Sequence, residues 1–208
     1  CVSDMTCTQE VEVMYQYKLA YPVFAPQESD EAGTGATYGT GSFLGEAMTV
    51  GMTVQENSAQ LYGDDGMVAN VTAFKQCDIS LGVTKIPLKV YELMFGAKHT
   101  SATSGQSATG EKLSEKKTDA AKYGGFGVIA SGEENGNEVY QLIWFKKVKF
   151  QKPTETYNTN GDSIAFGTPT LNGTAISDGS GEWRLREVYS TLETALAALK
   201  TKAGIETA

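Results

Sequence analysis

Two adjacent carboxylates, Asp64 and Asp65, stand between glycines in the run Leu61-Tyr62-Gly63-Asp64-Asp65-Gly66. Tyr-Gly-Asp-Asp is the string that marks the magnesium-binding turn of RNA-dependent RNA polymerases. Two-metal chemistry needs at least one further carboxylate on a neighbouring strand, together with fingers and a basic template channel. A chain of 208 residues with a net charge of −8 leaves no room for these. Gly63 and Gly66 permit a tight turn and the aspartates favour one. The run therefore predicts a hairpin tip, with apolar segments on either side.

The other residues that could do chemistry are isolated. Residues 105–112, GQSATGEK, miss the phosphate-loop pattern by one inserted glutamate, and no hydrophobic strand precedes them. A Ser-His-Asp or Cys-His arrangement has to use His99, the single histidine, which adjoins a polar insertion and reads as a solvated side chain. Cys1, Cys7 and Cys77 are an odd count at no metal-ligand spacing, which fits reduced thiols better than a disulfide framework. Lys146, Lys147, Lys149 and Lys152, interleaved with Trp144, Phe145 and Phe150, admit three readings: a nucleic-acid contact, a solvated strand end, or a subunit interface. No catalytic constellation, metal set or cofactor site emerges. The sequence reads as non-enzymatic.

The elements that would position these residues are mainly strands. Residues 10–21 alternate, with Val11, Val13, Tyr15, Tyr17, Leu19 and Tyr21 on one face. Residues 26–42 are acidic and glycine-rich without a period, and predict a long loop or arm. Alternation returns on both sides of the Asp64-Asp65 turn. IPLKVYELMFG predicts a short helix, with Pro87 in its first turn and Gly96 as its C-cap. Residues 97–122 are polar and low in complexity, and predict a mobile surface insertion. GGFGVIASG, the turn EENGN and EVYQLIWFKKVKF predict a hairpin, and residues 161–176 a further strand. A C-terminal helix is predicted over 189–203, with Ser190 and Glu193 as a capping box and Leu192, Leu196 and Leu199 as its apolar stripe. The expectation is one domain, residues 1–208, with 1–9 as an N-terminal extension: mainly β with two helices, β-sandwich or barrel-like, with long loop extensions.

Charge is unevenly distributed. Residues 1–74 carry ten acids and one base, Lys18, for a net of −9; residues 75–208 carry fifteen acids and sixteen bases, for a net of +1. That asymmetry argues against a nucleic-acid binder of the basic kind and for a surface that repels anions or meets a basic partner. No run approaches the roughly 20 apolar residues of a membrane span.

The ordered set LYGDDGMVANVTAF, IPLKVYELMFG, GGFGVIASG, YQLIWFKKVKF, GDSIAFGTPTLNGTAI and GEWR resembles the major tail proteins of long non-contractile-tailed bacteriophages, over about residues 43–188. The resemblance implies a structural protein of the virion tail, assembled in the bacterial host cytoplasm. It implies a β-sandwich-like domain that forms hexameric rings, stacked into a tube through which genomic DNA passes. Tape measure and tail terminator proteins are the further partners it implies. The competing class is a carbohydrate- or surface-binding β-sandwich module, which need not form rings.

Strand parity makes the tube reading specific. In residues 47–57 the positions Ala47, Thr49, Gly51, Thr53, Gln55 and Asn57 form a polar or small face, opposite Met48, Val50, Met52 and Val54. In residues 68–80 the polar face is Asn70, Thr72, Gln76, Asp78 and Ser80, opposite Val71, Ala73, Cys77, Ile79 and Leu81. The polar faces are the candidate lumen lining, with one acid and no base. Asp64, Asp65, Lys146, Lys147 and Lys149 are the candidate subunit contacts.

Overall fold

A computed structural model describes residues 15–63, 66–103, 110–155 and 168–205. The chain is mainly β with two helices. In chain order the elements are β1 (Tyr15–Glu31), β2 (Gly35–Tyr38), β3 (Ser42–Phe43), β4 (Ala47–Gly63), β5 (Gly66–Val83), α1 (Leu88–Phe95), β6 (Lys98–Thr100), β7 (Lys112–Ser114), β8 (Tyr123–Glu134), β9 (Asn137–Phe150), β10 (Thr170–Ile176), β11 (Arg184–Tyr189) and α2 (Leu192–Lys202). All pairings are antiparallel. The main sheet runs β2-β1-β8-β9-β10-β5-β4, with β11 also on β9 and β3 also on β1. It does not close into a barrel, because β2 and β4 end the strand order.

The central strands bury both faces, and a cluster lies on each side. On one face Phe24, Phe126, Phe145 and Phe150 meet Ile79 and Leu81 of β5 and Val90, Met94 and Phe95 of α1. Phe126 and Phe150 pack edge to face with centroids 5.2 Å apart. On the other face Val23, Ile129, Leu142 and Trp144 meet Ala195 and Leu199 of α2. Gly127 explains how closely that helix sits: a Cβ there would lie 2.6 Å from Leu199 Cδ1 and from Trp144. Each large side chain so buried stabilises the fold by about 1.5–3 kcal/mol. This helix–sheet–sheet layering is β-sandwich-like.

Several boundaries differ from those read in the sequence. Residues 26–42 are not a loop. β1 runs on to Glu31, turns and returns as β2, with Asp30 opposite Ala36 and Glu31 opposite Gly35. Segment 97–122 carries apolar anchors: Ala97 is buried, Leu113 and Ala121 pack on the core, and β6 pairs with β7. The amide of Lys122 also donates to the Met94 carbonyl at 2.8 Å. The C-terminal helix begins at Leu192, and its cap is Thr191, whose hydroxyl accepts from the Thr194 amide, rather than Ser190 with Glu193. β11 has no counterpart among the predicted strands, because its residues show no clean alternation of polar and apolar types. The helix at IPLKVYELMFG forms as expected, with Pro87 one residue outside it and Gly96 (φ 70°) closing it. The β8–β9 hairpin turns at Asn135-Gly136, both at positive φ, inside the EENGN segment.

Candidate functional site

The β4–β5 hairpin is the feature that most distinguishes this sheet. Its two strands pair from Ala47 with Val83 out to Gly63 with Gly66, while β10 stays beside β5 only as far as Cys77. Beyond that point the hairpin continues as a two-stranded ribbon, residues 55–63 and 66–76. The connecting residues Asp64 and Asp65 lie outside the described residues.

The register fixes which side chains share a face. Thr49 stands beside Gly82, Gly51 beside Ser80, Thr53 beside Asp78 and Gln55 beside Gln76. The Asp78 carboxylate accepts from Gln76 Nε2 at 2.8 Å, Gln55 Nε2 at 3.3 Å and Thr174 Oγ1 at 3.5 Å. These contacts place a polar surface across β4, β5 and β10. A shallow depression of about 310 Å³ lies within it, reaching Asn172 and Gln151. Thr49, Thr53, Gln55, Asn57, Gln76, Asp78 and Ser80 therefore share one face, as the parity required.

Asn70 and Thr72 do not belong to it. Gln55 pairs with Gln76 but the next residue, Glu56, pairs with Phe74, so Lys75 is an extra residue in β5. Such a bulge reverses the parity beyond it. Asn70 and Thr72 then join Gln60, Ser58 and Glu56 on the opposite face. Val71 and Ala73, expected in the core, instead join Asn57, Ala59 and Leu61. Val71 is 65% exposed and Leu61 62%. Met48 and Val54, also expected in the core, are exposed too. Met48 is the extra residue of a second irregularity, between Ala47 and Thr49, and Val54 stands where the core ends. Val50 and Met52 pack on the core, and Cys77, Ile79 and Leu81 are buried.

Three of the four clustered lysines, Lys146, Lys147 and Lys152, pair with carboxylates of the same chain. Lys146 Nζ reaches the Glu182 carboxylate and lies 3.5 Å from Asp178 Oδ2; Lys147 Nζ lies 2.6 Å from Asp30 Oδ2. Lys147 and Lys149 both sit 5.2 Å from the centre of the Tyr123 ring, and Lys149 is exposed. Lys152 pairs with Glu115 at 2.7 Å. Asp30, from the acidic N-terminal third, thus meets Lys147 within the same chain.

Asp178, not singled out in the sequence, organises this region. Its side chain is 1% exposed, and it accepts from the amides of Ala36 (3.3 Å), Ser180 (2.9 Å) and Glu182 (3.2 Å). Burial alone would push its carboxyl up. The Ser180 hydroxyl, the Ala36 and Ser180 amides and Lys146 outweigh it and hold the carboxyl below the ordinary range. Asp30 is held low by the Lys147 hydrogen bond and by the Gly179 amide. Nearby, burial pushes the Tyr38 phenol up to about 12, and its hydroxyl donates to the Lys146 carbonyl at 2.6 Å. The only sequence signal for this lock is the Asp-Gly-Ser-Gly run at 178–181, which reads as an ordinary turn.

His99 is not a solvated side chain. It is 9% exposed, with Nε2 2.7 Å from Glu111 Oε1 and Nδ1 3.9 Å from Glu92 Oε2. It ties β6 to α1 and to the approach to β7, with no nucleophile in this set. Among the described residues, no three His, Cys, Asp or Glu side chains converge as a metal-ligand set. No helix among them is long and apolar enough to cross a membrane.

No family model matches the chain, and no curated protein matches it.

Proposed function

We propose that this chain is a tail-tube subunit, a structural virion protein that polymerises as stacked hexameric rings and forms the channel for DNA. The observation that carries the proposal is the polar face of the β4–β5 hairpin. Thr49, Thr53, Gln55, Asn57, Gln76, Asp78 and Ser80 stand together on a strand pair that ends the sheet; these seven include one carboxylate and no cation, and Lys149, which shares the face through Thr174, stands two strands away on β9. An edge strand of seventeen residues presents backbone groups that pair readily with another chain. Edge-to-edge pairing around a ring would turn that face into a continuous inner wall. Lysine and arginine bind duplex DNA largely by neutralising phosphates and freeing their condensed counterions, so a hairpin face without cations lets the duplex slide.

The test is sedimentation of the purified protein across a concentration series, with negative-stain imaging of the same samples. Rings or tubes of uniform bore are expected. A monomer at all concentrations that binds a glycan would replace this reading with the carbohydrate-binding module.

A further inference from the structure

A groove of about 560 Å³ lies where β1, β3 and the start of β4 meet α2. Gly45, at φ 98°, turns the chain sharply from β3 into β4, and a Cβ there would collide with the Lys85 carbonyl oxygen. Phe43 and Ala47 line the groove from either side of that turn. Leu196 and Lys200, four residues apart, share one face of α2. Leu19 and Tyr21 of β1 complete the walls. The volume is in the range of small-molecule clefts, about 300–1,000 Å³.

One wall is held in an unusual conformation. Tyr21 has φ 56°, at the point where the β1 register shifts between Ala20 and Val23, and its ring stands edge-on to Phe43 at 6.4 Å. A tyrosine stays in the left-handed region only where its surroundings hold it there. The result is a ring 38% exposed in an apolar cleft, where a ligand would cover it.

Charge and wall chemistry together restrict the ligand. Lys18, Lys200 and Glu46 also line the groove, Lys18 and Glu46 exposed and Lys200 half-buried. Their charged ends reach water while the lysine stems cover apolar wall. Neither lysine has a carboxylate partner among the described residues, whereas Lys202 on the same helix lies 3.1 Å from Glu187. Two cations against one carboxylate leave the rim net positive. Within the walls, the Tyr21 hydroxyl is the one uncharged side-chain group able to hydrogen-bond. A sugar, nucleotide or peptide enclosed there would leave several polar groups unpaired. The geometry points to a binding site for a small anionic amphiphile of the fatty-acid kind. Its alkyl chain lies among Leu19, Phe43, Ala47 and Leu196, and its carboxylate meets Lys18 and Lys200, with Glu46 opposing the head. The site shares no residue with the polar face of the β4–β5 hairpin, and its occupancy does not require assembly.

The test titrates decanoate into the full chain, below the concentration at which it forms micelles, and follows the methyl resonances of Leu19 and Leu196. One saturable site is expected, with octanoate about tenfold weaker for its two fewer buried methylenes. Lys18→Gln with Lys200→Gln should weaken decanoate at least about tenfold while leaving decan-1-ol unchanged. Glu46→Gln should tighten decanoate about threefold by removing the opposing charge. Decylammonium bound as tightly as decanoate, or a double lysine variant that binds decanoate like the wild type, would overturn the site. So would decanoate that leaves both leucines unshifted. Shifts of the same methyl resonances with protein concentration alone would give the groove to a second copy of the chain and overturn the small ligand. None of these outcomes decides whether the chain forms a tube, which sedimentation and imaging read separately.

Discussion

The two halves of the β4–β5 hairpin are built from similar residues and treat water oppositely. Near the body, Val50, Met52, Cys77, Ile79 and Leu81 point to the core, while Thr53, Gln55, Gln76 and Asp78 point away. Past residue 56 the faces exchange. Ala59, Leu61, Val71 and Ala73 continue the formerly polar side, and Ser58, Gln60, Asn70 and Thr72 the formerly apolar one. The two strands reach this exchange by different means. β4 changes its sequence pattern, from apolar even positions to apolar odd ones. β5 keeps apolar residues at odd positions on both sides of Lys75, the extra residue that turns the strand over. A hairpin can thus serve its own core along one half and expose apolar residues along the other, without a loop between the two.

The largest effect that separates the halves comes from one residue type. Leu81, 0% exposed in the body half, should lose about 2–5 kcal/mol on Leu81→Ala, as buried leucines do. Leu61, on the ribbon, should change monomer stability by no more than about 0.5 kcal/mol on Leu61→Ala. Urea denaturation of both variants below the assembly concentration measures the pair. Similar losses at the two positions would mean that the ribbon folds back on its own subunit and that the comparison is wrong.

Much of the body is legible in the sequence because its signals are local. Asn135-Gly136 declares a hairpin turn, Gly96 ends a helix, and Cys77, Ile79 and Leu81 alternate cleanly into the core. The features that escape a sequence reading depend on tertiary contacts. Residues 26–42 read as a loop because their acids and glycines have no period, yet Asp30 is fixed by Lys147 and the Gly179 amide, over a hundred positions away. The lysines at 146 and 147 read as available for a partner for the same reason: their carboxylates lie far along the chain. The Lys75 bulge leaves the sequence of β5 alternating and only turns it over. Within the candidate site, the face from Thr49 to Gln55 and from Gln76 to Ser80 is readable; the positions of Asn70, Thr72, Val71 and Ala73 are not.

The next largest effect lies wholly in the body. Asp178→Ala leaves three backbone amides and the Ser180 hydroxyl without their acceptor, and Lys146 with Glu182 alone, at about 2–3 kcal/mol after water recovers part of the loss. Asp30 and Asp178 both have folded carboxyls held below the ordinary value, which in the unfolded chain is about 3.9. Their contribution is therefore complete above that value and is lost as pH falls through the lower folded values. The denaturation midpoint of the wild type should drop below about pH 4. In Asp30→Asn with Asp178→Asn that drop should shrink. An unchanged acid slope in the double variant would remove the lock as the reason that residues 26–38 are ordered.

A smaller effect contrasts two hairpin ends. Gly136 turns the β8–β9 hairpin at φ 79°, with nothing within 4 Å of a Cβ built there. Gly136→Ala therefore meets only the backbone penalty, about 1 kcal/mol, and should lower the melting temperature without touching association. A loss of association with unchanged melting would move the assembly contact from the ribbon to this turn.

The smallest effect on the chain should carry the largest consequence for the proposed tube. Thr53 and Ser80 are exposed on the polar face of the body half, so Thr53→Lys with Ser80→Lys should change monomer stability by no more than about 0.5 kcal/mol. The two new lysines would flank Asp78, which can offset only part of their charge. If this face lines the bore, each copy in a ring then presents cations to the passing phosphates. Assembled tubes should then retain double-stranded DNA at low salt and release it as salt rises, with a slope set by the number of phosphates engaged. Wild-type tubes should retain none at either salt. The same change on the ribbon face, Leu61→Lys with Val71→Lys, should instead block association. Tubes that assemble from the Thr53→Lys, Ser80→Lys variant yet stay indifferent to DNA would mean that this face does not meet the lumen. The division between a channel-facing half and a partner-facing half would then have to be redrawn.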